Sequence, residues 1–128
     1  MRLLLDTHVL LWWFDGDRKL SRKVRKLIEG AETEIHVSAA SVWEIATKAR
    51  IGKLQSAVKI ARRLPEAIAE QGFAAMPITV EHSQSAGWLP GHHRDPFDRM
   101  LAAQALLAGI AIASIDEVFE VYGVNRIW

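Results

Sequence analysis

Cysteine is absent from this sequence of 128 residues, and its absence excludes several kinds of chemistry. The chain has no disulfide framework, no zinc ribbon and no thiol nucleophile. Any bound metal ion must be held by oxygen or imidazole groups, and a reducing compartment suits such a chain. The length is typical of one domain, about 100–150 residues, and we expect a single domain over residues 1–128.

Long apolar runs are also missing. The run Leu3–Leu5 is closed by Asp6 and is too short for the core of a signal peptide. No apolar stretch approaches the roughly 20 residues that a membrane helix needs. From these two absences we expect a cytoplasmic protein that makes no use of a membrane.

The sequence also lacks an excess of either charge, since 16 basic and 15 acidic residues give a net charge of +1. The total therefore neither favours nor excludes a nucleic-acid partner. The basic residues are concentrated in two groups, which could follow an RNA backbone by neutralising its phosphates. They are Arg18, Lys19, Arg22, Lys23, Arg25 and Lys26, and then Lys48, Arg50, Lys53, Arg62 and Arg63. A solvated helix face explains any single member at least as well.

Short runs rich in Val, Ile and Leu alternate with longer helical patterns, which is typical of βα units and a parallel sheet. Strands are predicted at 3–5, 34–37, 74–78, 110–115 and, at an edge, 124–128. Helices are predicted at 8–14, 21–29, 39–50, 56–71, 79–87 and 96–108. Pro65 should kink or split the fourth helix, and the first is so apolar that it must be enclosed or covered by a partner. The fold class is therefore α/β.

Two aspartates directly follow predicted strands: Asp6 after the first and Asp116 after the fourth. The carboxyl ends of parallel strands lie at one edge of a sheet, where reacting groups gather. Glu44 and Asp98 lie near the starts of helices that begin at the same edge if the crossovers are right-handed. Each aspartate at a strand end could instead serve as a turn or N-cap residue.

Two of these positions need a choice between neighbours. Ser41 and Glu44 match a capping box, whereas an N-cap at Ser38 would place Glu44 well inside the helix. We favour Ser38, because the residues that follow it already have a helical pattern. Pro96 fits the first position of its helix, which makes Asp95 the N-cap and leaves Asp98 as the ligand.

Carboxylates that converge on one cavity repel one another, which raises some of their pKa values in the absence of metal. A divalent cation relieves that repulsion, and a set of oxygen donors suits Mg²⁺ or Mn²⁺. One ion, or two ions ~3.5–4 Å apart, could activate water and stabilise the leaving oxygen of a phosphodiester. The residue types therefore favour metal-dependent phosphodiester hydrolysis.

At this point the sequence resembles the PIN-domain ribonucleases, in particular toxins of the bacterial VapBC type. The resemblance covers nearly the whole chain, and the order and spacing of four motifs carry it. The motifs are Leu4–His8, Ser38–Ile45, Arg94–Ala105 and Ser114–Asp116.

The resemblance implies a PIN-like fold, with a short, mostly parallel sheet of four to five strands flanked by helices. It implies that Asp6, Glu44, Asp98 and Asp116 are the catalytic and metal-binding residues. Supporting roles are implied for Asp95, Ser114, Thr7 and Arg99, with Ser114 standing where relatives often have threonine. It further implies Mg²⁺ or Mn²⁺ dependence, RNA cleavage that leaves a 5′-phosphate, homodimerisation and inhibition by a cognate antitoxin. Such a toxin inhibits translation or growth.

Several other residues have competing interpretations. Arg94 and Arg99 flank the predicted site and could contact RNA. His92 and His93 could suggest a metal pair, but adjacent residues rarely share one ion, and we expect His8 to pack or cap. Among the five tryptophans, Trp12 and Trp13 form an apolar surface with Phe14, and we expect at least one tryptophan to contact a dimer mate or an antitoxin helix.

Rival functions remain open at this point. A phosphatase of the haloacid-dehalogenase type would use Asp6 as a nucleophile, but it would need a second aspartate where this chain has His8. It would also need a downstream lysine near a strand end, and none is well placed. A non-catalytic binding module that keeps the fold is a second rival, and a DNA nuclease is a third.

Overall fold

The centre of the fold is a five-stranded parallel sheet in the order β3-β2-β1-β4-β5. The computed structural model describes residues 1–54, 58–91 and 94–128. The strands are β1 Arg2–Leu5, β2 Glu34–Ser38, β3 Ala74–Met76, β4 Ala111–Ala113 and β5 Arg126–Ile127. The α/β class, the parallel sheet and the edge position of the last strand are confirmed.

Helices connect the strands on both faces of this sheet. They are α1 Thr7–Asp15, α2 Arg22–Glu29, α3 Ala39–Arg50, α4 Val58–Ala61, α5 Leu64–Glu70, α6 Val80–Trp88, α7 Pro96–Ala108 and α8 Val118–Val121. Gly16 and Gly109 end α1 and α7 in the left-handed conformation, which glycine adopts without strain. Within the described parts of the chain, no helix has both the length and the apolar character needed to cross a membrane.

The strand alternation divides the core into two halves. Leu3 and Leu5 pack against α1, α2, α3 and α5, whereas Leu4 lies on the opposite face with α7 and α8. Trp12, Trp13 and Phe14 are partly buried against the first half, and the ring centroid of Trp12 lies 5.7 Å from that of Trp128. The apolar first helix is therefore enclosed largely by its own chain.

Several predicted bounds are wrong: the fourth strand covers Ala111–Ala113 rather than 110–115, and the fifth covers Arg126–Ile127 rather than 124–128. The predicted helix 56–71 is split into α4 and α5, and Pro65 lies in the first turn of α5. The predicted start at residue 56 lies outside the described residues, and so do His92 and His93. The third strand ends at Met76 rather than residue 78, because Pro77 has no N–H for the ladder. Helix α8 was not predicted, since four residues carry too little periodicity.

Candidate active site

A cavity of about 390 Å³ opens at the carboxyl edge of the sheet, beside the ends of β1 and β4. The structure brings the four predicted acidic residues and Asp95 together on its wall. The cavity is lined by Asp6, His8, Glu44, Lys48, Asp95, Asp98, Ile115 and Asp116. Acids from positions far apart in the sequence thus share one small space, as the strand-end argument expects.

Asp6 is almost fully enclosed, with 5% of its surface exposed. Its Oδ1 accepts a 2.7 Å hydrogen bond from the Thr7 N–H as the N-cap of α1, and its Oδ2 accepts a 2.6 Å bond from Ser114 Oγ. Burial raises the pKa of the Asp6 carboxyl. The bonds from Ser114 and Thr7 and the charge of His8 act to lower that pKa, while the negative charge of Glu44 raises it further.

Ser114 links the acids that follow the two strands. While its hydroxyl donates to Asp6, its oxygen accepts a 3.0 Å hydrogen bond from the Asp116 N–H. Oδ1 of Asp116 accepts from the Val118 N–H at 3.0 Å, which fixes the carboxylate at the start of α8. Ser114 is fully buried, so it lies behind the cavity wall as a positioning residue.

Glu44 reaches the cavity from within α3. Ser38 is the N-cap of this helix, as predicted, because its Oγ accepts from the Ala40 N–H at 3.0 Å. The Ser38 hydroxyl also donates to Oε1 of the buried Gln104 on α7 at 2.5 Å, which holds α3 and α7 together near the site. The Glu44 carboxylate is bonded to the ammonium of Lys48, four residues further along the same helix face.

Asp95 and Asp98 reach the cavity from the first turn of α7. Asp95 is the N-cap, as predicted: its Oδ1 accepts from the N–H groups of Phe97 and Asp98 at 2.9 and 3.3 Å. Asp98 is a first-turn acid of the helix, and both residues line the cavity. The capping bonds give Asp95 a structural role beside its place on the wall.

The other supporting residues lie elsewhere. The guanidinium of Arg99 donates to the backbone carbonyls of Ala86 and Leu89, at 3.1 and 2.5 Å, so its atoms tie α7 to the end of α6. Thr7 is buried, and its Oγ1 donates to Ser41 Oγ at 3.0 Å, which joins α1 to α3. Arg94 is exposed. Among the described residues, none of these three lines the cavity.

Two nitrogen-bearing side chains on the cavity wall, Lys48 and His8, were not assigned to the site from the sequence. Lys48 was grouped with the basic residues of a helix surface, although its spacing from Glu44 is the signal that could have placed it. His8 was expected to pack or cap. Its ring does lie against Trp12, with centroids 5.9 Å apart, but the residue is exposed and also faces the cavity.

The residues fit a hard divalent cation by their chemistry. The acids supply oxygen donors alone, and burial raises the pKa of Asp6 because it disfavours the ionised carboxylate, which a cation would stabilise. Within the described residues, no three acidic or histidine side chains already form a group that could hold an ion. Binding a metal would therefore require these side chains to converge.

The parallel sheet flanked by helices, with acids clustered at its carboxyl edge, defines an α/β protein with an acidic site. The family comparison says which family of α/β proteins this is. Residues 3–125 match the model of the PIN domain. The chain therefore belongs to the PIN-domain family.

Particular relatives narrow the comparison. The chain is 32% identical over 115 residues to Ribonuclease VapC22 of Mycobacterium tuberculosis, covering 89% of this chain and 86% of that protein. It also resembles a chain of VapBC2 from Rickettsia felis bound to a promoter DNA fragment, with a TM-score of 0.71, 13% identity and coverage of 99% and 98%. A toxin–antitoxin complex from Klebsiella pneumoniae has a TM-score of 0.69, 16% identity and coverage of 98% and 96%. These two structures share the fold of this chain.

Proposed function

We propose that this PIN-domain protein is a metal-dependent endoribonuclease and the toxin of a toxin–antitoxin pair. The observation that carries the proposal is the shared cavity of Asp6, Glu44, Asp98 and Asp116 in a chain that belongs to this family. The identity to a relative named as a ribonuclease supports RNA as the substrate. Cytoplasmic action on RNA, with inhibition of translation or growth, follows from that substrate.

In the proposed site, Asp6, Glu44, Asp98 and Asp116 hold Mg²⁺ or Mn²⁺. When bound, such an ion supplies an activated water for attack on phosphorus and stabilises charge on the phosphate oxygens. Ser114 fixes the Asp6 and Asp116 side of the cavity through its two hydrogen bonds. The bond between Ser38 and Gln104 fixes α3, and with it Glu44, relative to α7. Hydrolysis breaks the P–O3′ bond. The OH of one water molecule joins the 5′-phosphate, and its remaining proton goes to the 3′-hydroxyl.

The proposal includes a cognate antitoxin and a homodimer as partners. Solved toxin–antitoxin complexes with the same fold support the antitoxin. Two tryptophans also leave apolar surface uncovered, with Trp43 63% and Trp88 83% exposed. Exposed aromatic surface of this kind is typical of protein interfaces.

The test of the proposal is cleavage of total bacterial RNA by purified protein in Mg²⁺ or Mn²⁺. We expect Asp6→Asn and Asp98→Asn to abolish cleavage while circular dichroism and thermal unfolding show an intact fold. Each change keeps the side-chain shape but removes a negative charge that the cation needs. Expression in a bacterial host should likewise lose its toxicity with either change.

The matched control is Asp15→Asn, an exposed aspartate at the far end of α1. It should cut RNA at the wild-type rate. Cleavage at the parental rate by either site variant would overturn the assignment of the acids. A wild-type protein that cuts no RNA under these conditions would overturn the function itself.

A further inference from the structure

The walls of the acidic cavity pose a charge problem for its proposed substrate. Five carboxyl groups line the cavity, whereas Lys48 supplies the one ammonium or guanidinium group among its described lining residues. A phosphodiester is itself an anion, so the acids repel it unless positive charge lies close by. A bound divalent ion balances only part of that negative charge.

The position of Lys48 suits it to meet that phosphate. Its ammonium bonds to Glu44, whose side chain is 5% exposed, while the Lys48 side chain is 33% exposed. The charged group thus lies at the boundary between the buried carboxylate and the open cavity. An ammonium has three N–H donors, so a lysine that gives one to Glu44 has two more to offer.

The other basic residues near the site are less well placed. Arg99 donates its guanidinium N–H groups to backbone carbonyls around the end of α6. Neither Arg99 nor Arg94 is among the described residues that line the cavity. The bond to Glu44 also restricts the lysine side chain, which lowers the entropy lost when the ammonium binds a substrate.

We propose that Lys48 is the phosphate-binding cation of this active site. Its ammonium, anchored by Glu44, contacts a non-bridging oxygen of the phosphodiester that is cleaved and stabilises the negative charge that grows there during hydrolysis. Lys48 keeps its proton throughout, so the contact changes no bond. The inference rests on the proposed ribonuclease function, because it needs RNA in the cavity.

The absence of cysteine from the chain allows a precise test. Lys48→Cys provides a single thiol, and alkylation with 2-bromoethylamine adds an aminoethyl group that restores an ammonium at nearly the original distance. We expect Lys48→Met and unmodified Lys48→Cys to cut total bacterial RNA about tenfold to a hundredfold more slowly, the effect of losing one charged hydrogen bond. Alkylated Lys48→Cys should recover most of the rate, and Lys48→Arg should retain part of it.

A second measurement separates phosphate binding from a role in holding Glu44. Binding of a labelled single-stranded RNA oligonucleotide is measured over a range of salt concentrations, with Asp98→Asn present in every protein to prevent cleavage. Adding Lys48→Met should weaken binding and reduce the slope of log affinity against log salt by about 0.7, the value for one phosphate contact in a single strand. Glu32→Cys, at an exposed residue in the turn before β2, is the control before and after alkylation and should leave rate and slope unchanged.

Three results would overturn the inference. They are cleavage by Lys48→Met at the wild-type rate, slower cleavage with unchanged RNA affinity and salt slope, and complete alkylation of Lys48→Cys without recovery. The second would show that Lys48 acts only through Glu44. Failure of the proposed function is recognised separately, because the wild-type protein would then neither cut RNA nor bind Mn²⁺ saturably.

Discussion

Asp6 combines a structural role with its proposed catalytic one. As an N-cap it gives Oδ1 to the Thr7 N–H, and Oδ2 accepts from Ser114. Because its pKa is raised in the folded protein, the free energy of unfolding falls as the pH rises from the ordinary aspartate pKa to the raised one. A metal ion that binds the ionised form would return that stability.

Ser114 limits the rise in the pKa of Asp6, because its hydroxyl donates a hydrogen bond to the carboxylate. Ser114→Ala should lower the free energy of unfolding of the metal-free protein by about 1–3 kcal/mol at neutral pH, because it leaves a buried oxygen of Asp6 without its donor. The loss should be smaller at acidic pH, where Asp6 is protonated in both states and the bond no longer stabilises a charge. Urea denaturation at the two pH values measures both quantities.

Two further variants sharpen this measurement. Ser114→Thr keeps the hydroxyl and should stay closer to the wild type than Ser114→Ala. Ser83→Ala removes an exposed hydroxyl on α6 and should change stability by less than about 0.5 kcal/mol. If Ser114→Ala lowered the free energy of unfolding equally at neutral and acidic pH, the lost bond to ionised Asp6 would not be the cause of the destabilisation.

At the scale of the elements, local signals located the helices and assigned the acids on them. Ser38 and Asp95 are both confirmed as N-caps, and each cap fixes how far its helix carries a later acid toward the cavity. These signals can be found in sequence because a cap and its first turn involve only neighbouring residues. Helix α8 was missed, although it fixes Asp116 through the Val118 N–H, because a single turn leaves no pattern.

Arg99 shows what the local pattern could not predict. Its position next to Asp98 suggested contact with RNA. In the structure, however, its guanidinium is held by backbone carbonyls of residues 86–89, at the end of α6 and in the loop that follows. Such contacts depend on tertiary packing. We therefore expect Arg99 to matter first for the attachment of α6 to α7.

Arg99→Ala should accordingly lower the free energy of unfolding by about 1.5–3 kcal/mol, because it removes charged hydrogen bonds to several carbonyls. Thermal or urea denaturation measures this loss. Arg94→Ala, at an exposed arginine nearby, should change stability by less than about 0.5 kcal/mol. The salt slope of RNA binding should be the same with and without Arg99. A lower slope together with unchanged stability would show instead that Arg99 contacts phosphate.

At the scale of the whole molecule, the parallel sheet explains why the acids could be assembled from sequence. The order of strands and helices predicted one sheet edge for Asp6, Asp116, Glu44 and Asp98, and the structure brings all four to one cavity. The i,i+4 spacing of Lys48 from Glu44 was only a weak signal that its ammonium lies among them, because such pairs on helices are common and mostly exposed. The near-neutral net charge gave no sign of the acidic cavity, which was predicted instead from the positions of the acids at strand ends and helix starts.

The central claim is that these acids together hold a divalent cation, and calorimetric titration of metal-free protein with Mn²⁺ tests it most directly. We predict saturable binding by the wild type, weakened by more than about tenfold in Asp6→Asn, Asp98→Asn and Asp116→Asn alike, since each removes a charge from the same site. The exposed-site variant Asp15→Asn should bind as the wild type does. No saturable binding by the wild type, or undiminished binding by the three variants, would contradict the account.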